Sequence, residues 1–83
     1  MGHPTTGRSR RLSDRALGVL LRIGDHQRSH QVRLVPVVDV IDPASPAQWD
    51  SIHILARRLL LDTADAQSVR LTRAGWAAYR HHR

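Results

Sequence analysis

Arginine carries most of the chemistry open to this chain. Arg8, Arg10, Arg11 and Arg15 crowd the N-terminal side, and Arg57 and Arg58 stand together later. Arginines bunched in this way are candidates for contacts to phosphate oxygens. The net charge of +6 points the same way, toward a polyanionic partner. The charge is uneven. Residues 1–33 carry seven Arg against two Asp, a net of +5, and residues 71–83 carry three Arg and no acid. Residues 34–70 hold three Arg and five Asp, so the middle is slightly acidic. The plainer readings are a solubilising tail for the N-terminal cluster and a solvated helix face for Arg57 and Arg58.

Other chemistries find little support. The chain has no cysteine, which excludes disulfides and thiolate zinc sites. His26 and His30 are four apart, but they fall in a polar stretch read as a connector, with no third ligand near. His81 and His82 offer at most weak chelation from a terminus. Ser, His and Asp occur at no diagnostic catalytic spacing and there is no nucleophile elbow. No enzyme activity, metal or cofactor is therefore expected.

Trp49, Trp76 and Tyr79 are the only aromatic residues, so the core must be Leu, Val, Ile and Ala. A domain of 83 residues has a small core and often gains stability from a partner, commonly a second copy. No apolar run is long enough to span a membrane and the N-terminus lacks a signal-like apolar stretch, so a cytoplasmic protein is expected. Every base is Arg and every acid is Asp, with no Lys, Glu, Asn or Phe. That codon bias suggests a GC-rich genome, such as an actinobacterium or a phage that infects one.

The elements that must position the arginines follow from local signals. Residues 1–11 read as a disordered basic arm and residues 12–83 as one domain. Ser13 is a helix N-cap, Asp14 suits the first turn, and Leu12 and Leu17 form a hydrophobic staple. Leu17, Leu20, Leu21 and Ile23 continue the apolar stripe, and Gly24 is the expected stop. Residues 25–31 are then a polar connector. Residues 32–37 favour a strand, with Pro36 at an edge or end, followed by an irregular or short helical turn. Ser45, Pro46 and Gln48 open a helix over residues 46–59, with Ile52, Leu55, Ala56 and Leu59 inward and Trp49 at the margin. Strands at 59–62 and 69–72 flank a polar loop. A final helix is capped by Thr72, and Trp76 and Tyr79 are read as packing against the first helix, with interface anchoring as the alternative.

The segment Val69, Arg70, Leu71, Thr72, Arg73, Ala74, Gly75 resembles the exit from the wing in winged helix-turn-helix DNA-binding regulators, where a Leu-Thr-x-x-Gly step is frequent. The opening Leu12, Ser13, Asp14, Arg15, Ala16, Leu17 is also similar. The resemblance implies an α+β fold: a small winged-helix domain, three helices with a C-terminal β-hairpin (the wing) and a final helix. The interval from Gly24 to Leu59 has room for a strand and two helices. It further implies that the helix before the wing lies in a DNA major groove. Ala47, Gln48, Ser51, Arg57 and Arg58 would then face bases and phosphates, Gln48 toward adenine and an Arg toward guanine. Phosphate contacts would come from Arg8, Arg10, Arg11 and Arg15, with steep salt dependence. Asp62 and Asp65 make the wing end acidic, so it is expected to repel phosphate. The expected function is a small DNA-binding transcriptional regulator acting on double-stranded DNA, with a homodimer as one option for the small core. The rival is a winged-helix-like module that binds or inhibits a host protein without contacting DNA.

Overall fold

The computed structural model describes residues 11–83. The expected arm, with Arg8 and Arg10, lies outside them except for Arg11. Among the described residues the fold is α+β, with three α-helices and one three-stranded antiparallel sheet. Helix α1 spans Asp14–His30 and the short strand β1 spans Val35–Pro36. A 3-10 turn at Val37–Asp39 leads to α2, Pro46–Arg57. Strands β2, Leu61–Asp65, and β3, Ser68–Leu71, form a hairpin, and α3 covers Arg73–His82.

The order departs from the one expected. Two helices precede the hairpin rather than the three that the resemblance implies, and the 3-10 turn stands where the residues favoured an irregular or short helical turn after the strand. Strand β1 joins the hairpin, giving the sheet order β1-β3-β2. Pro36 does sit on an edge strand. The Val37 amide turns inward to the Gln67 carbonyl at 2.8 Å, so the neighbouring Pro36 nitrogen falls on the outer side, where no ladder donor is needed.

All three helix starts lie where their caps predict. The Ser13 hydroxyl accepts the Ala16 amide, the Ser45 hydroxyl the Gln48 amide and the Thr72 hydroxyl the Gly75 amide. The ends are different. Helix α1 runs through Gly24 and the supposed connector, and closes at Gln31 in the left-handed region with φ 54°. Gly24 serves another purpose: an added Cβ would stand 2.3 Å from a Tyr79 ring carbon. The glycine lets α3 lay its only buried aromatic ring against α1.

Helix α2 likewise stops short of Leu59. Leu59 has φ 62°, its amide reaches the Ala56 carbonyl, and the Leu60 amide reaches the Leu55 carbonyl. This is a Schellman closure built on leucine where glycine is usual. Leu59 is 73% exposed rather than inward. Because residues 59 and 60 close the helix, β2 begins at Leu61 and extends to Asp65. The polar loop shrinks to a two-residue turn, Ala66 and Gln67, with a bulge between Thr63 and Asp65.

The core draws Val19, Leu20 and Ile23 from α1, Ile52 and Leu55 from α2, Val35, Leu61, Val69 and Leu71 from the sheet, and Tyr79 from α3. Helix α1 touches every other helix and two of the three strands, so it is the spine on which the surface features are placed.

Candidate functional site

An open cleft of about 660 Å3 lies where the two ends of the described chain meet. Arg11 enters ahead of α1, Arg58 from the cap of α2, and His81 and His82 from the end of α3. Leu12, Leu17, Leu60 and Ala78 supply its apolar lining, and Asp14 is the one acid among its lining residues. Two of the arginines picked out in the sequence thus share one cavity although 47 positions separate them. Both are exposed, and a multivalent anion could be gripped from three elements at once.

The remaining predicted residues scatter. Arg15 is exposed on α1, seven positions before Arg22, whose guanidinium donates to the Val40 carbonyl at 2.8 Å. Arg57 is exposed on the outward stripe of α2 beside Pro46, Asp50, His53 and Ile54. Ser51 was expected to face DNA, but it is 2% exposed and its hydroxyl donates to the Ala47 carbonyl. The helix is turned from the expected orientation, because Ser51, Ile52 and Leu55 form its buried face in place of Ile52, Leu55, Ala56 and Leu59. Gln48 is half-buried and its side-chain oxygen accepts the Asp42 amide at 2.9 Å, so it braces the preceding loop. Ala47 is half-buried as well.

The hairpin end also needs correction. Asp62 is not at the tip: it stands opposite Arg70 across the strands and pairs with it at 2.8 Å. Only Asp65 flanks the turn, where its carboxylate accepts the Gln67 amide at 2.7 Å. Arg70, Arg33 and Arg73 border a second, shallower cleft of about 570 Å3 on the outside of β3. Beside the turn, Trp49 of α2 faces the hairpin across two adjoining depressions of about 390 and 350 Å3, which share Val37, Trp49 and Ala66. The Trp49 indole donates to the Pro43 carbonyl at 2.8 Å, which fixes the ring at the groove.

Three connections were not legible in the sequence. Gln27 is 8% exposed; its amide nitrogen donates to the Arg33 carbonyl at 3.0 Å and its oxygen accepts the Leu71 amide at 2.9 Å. In the register that pairs Val35 with Val69, residue 33 would pair with residue 71. The Gln27 amide fills that rung, bridging two backbones that have diverged. Tyr79 donates from its hydroxyl to Asp25 at 2.5 Å, and Arg83 bonds the other carboxylate oxygen, tying the end of α3 to α1. The Tyr79 bond, joined by Arg83 and Arg28 and opposed by partial burial, holds Asp25 below the ordinary carboxylate range. His26 and His30, expected in a loop, lie on one face of α1 with rings stacked at 4.1 Å, and His26 approaches Asp39 at 3.8 Å. Among the described residues no group of three or more His, Cys, Asp or Glu is arranged to hold a metal ion. No helix among them is long and apolar enough to cross a membrane.

Compared with known proteins, the chain matches no family model, no curated protein and no solved structure.

Proposed function

We propose that this domain is a small non-enzymatic DNA-binding regulator of winged-helix type that grips the phosphate backbone with the cleft where its ends converge. The convergence of Arg11, Arg58, His81 and His82 on one open cavity carries the reading. Arg8 and Arg10 precede Arg11 in sequence, outside the described residues. Arg15 on α1 and Arg57 on α2 are further exposed cations outside the cleft lining. The hairpin tip takes no part, because Asp65 flanks it and Arg70 is committed to Asp62.

Titration of a random duplex at several salt concentrations tests this. Binding should weaken steeply with salt, and each phosphate-contacting arginine removed should lower the log–log slope by about 1. Absence of binding at low salt overturns it. The second reading is a protein-binding module with no DNA role. It is favoured by Asp50 on the outward stripe of α2, the helix that would meet DNA, and by Asp65 at the hairpin turn.

A further inference from the structure

The groove between Trp49 and the hairpin turn differs in kind from the basic cleft. Its walls are Pro36, Val37, Val38, Trp49 and Ala66, and Val38 is 62% exposed. Val32, Leu34, Pro36 and Val38 are all exposed, and Pro36 and Val38 of these line the groove. An exposed apolar surface of this kind, rimmed by polar groups, marks a binding site more often than an accident of packing.

Acidic residues outnumber basic ones in the segments that form the groove. Asp39 follows Val38 and Asp50 follows Trp49. Asp42 precedes the carbonyl that holds the Trp49 indole, and Asp65 lines the groove itself. All four carboxylates are exposed. Of the eleven arginines among the described residues, none lines either depression. The basic side chains near this region are His53 on the lining, His26 beside Asp39, and Arg22, whose guanidinium is held by the Val40 carbonyl. A phosphate backbone would be repelled here. A segment with an apolar anchor between cationic side chains would find its complement, since opposite potentials steer encounter and the buried anchor supplies the affinity.

We propose that the groove of Trp49, Val38 and Ala66 docks a basic peptide segment of a partner protein, with one apolar side chain seated against Trp49. This gives the partner's chemistry for the second reading above, but does not require that DNA binding be absent; either can fail alone.

Trp76→Phe leaves Trp49 as the chain's sole tryptophan, so its emission reports on the groove directly. The probes are the capped tripeptides Arg-Leu-Arg, Arg-Gly-Arg and Glu-Leu-Glu. Calorimetry on the unaltered chain reads the same affinities should the tryptophan variant not fold. Arg-Leu-Arg should shift the emission saturably, and the other two should bind at least about tenfold more weakly. Val38→Ser and Asp65→Asn, both at exposed positions, should each weaken Arg-Leu-Arg about threefold while leaving duplex affinity unchanged. The proposal is overturned by any of four results. Arg-Leu-Arg gives no saturable response. Glu-Leu-Glu binds equally well. Sedimentation shows a dimer that Val38→Ser dissolves, which assigns the groove to a second copy. Or the two variants weaken duplex binding, which assigns it to nucleic acid.

Discussion

The basic cleft and the Trp49 groove are of comparable extent, but they are assembled differently. The cleft takes Arg11 from one end of the chain, Arg58 from the middle and His81 and His82 from the other end. The groove takes Trp49 and His53 from α2, and Ala66 and Gln67 from the adjacent hairpin turn. One gathers cations from afar; the other leaves acids and apolar surface where the acidic middle of the sequence already put them. The difference teaches that net charge is a poor guide to where a basic domain binds.

Both regions hang on one junction, and breaking it should have the largest effect. A Cβ on Gly75 would meet the Leu60 carbonyl at 2.0 Å, and backbone cannot yield as a side chain would. Thr72 meanwhile donates to the Leu59 carbonyl and accepts the Gly75 amide. Gly75→Ala should cost roughly 3 kcal/mol or more in urea unfolding, and should impair cleft and groove together. Loss of one without the other would show that they are independently supported.

Gln27→Ala is expected next. It leaves the Leu71 amide and the Arg33 carbonyl without their partner, at a cost of about 2 kcal/mol. It should loosen the β1 segment, and with it the groove wall, while sparing the cleft. Duplex affinity that falls as far as peptide affinity would break the distinction.

The cleft itself is tested by Arg11→Ala with Arg58→Ala. Fluorescence anisotropy on a duplex should show about a tenfold loss and a salt slope lower by about 2, against a smaller loss for Arg57→Ala. Equal losses would move the contact toward the outward stripe of α2.

Leu59→Gly should stabilise the fold by roughly 1 kcal/mol in thermal unfolding, because leucine is strained at positive φ and gains nothing from its exposed side chain. It sharpens the comparison by stiffening the junction without touching either surface.

The smallest effect is in acid. Asp25 has a lowered pKa in the folded chain, so its contribution is present above the unfolded value and is lost as pH falls through the folded one. Stability should therefore decline more steeply below about pH 4 in the native chain than in Asp25→Asn. The pair with Arg83 is nearly half exposed, so solvent screening keeps the difference small. Duplex binding near neutral pH should not notice it.

Much of the architecture could be read without coordinates, and the errors follow a pattern. Ser13, Ser45 and Thr72 announce their helices because a cap bonds an amide three residues on, which is chemistry within reach of a short window. Pro36 announces an edge because it lacks a donor wherever it sits. Gly24 misled because glycine signals either a stop or a close approach, and the ring it admits comes from residue 79. Ser51 and Gln48 misled because a few tens of degrees of helix rotation separate a base-reading position from a buried or bracing one.

Composition, caps and strand propensities are local, and they determined an α+β domain of three helices with a hairpin before the last. They also determined a chain whose cations gather toward its ends. The tertiary structure decided where the helices end, because those ends depend on what packs against them. It decided that residues 33 and 71 share a glutamine, and that Arg11 and Arg58 face the same cavity. Sequence distance says nothing about such meetings; only the docking of α1 against α2 and α3 creates them.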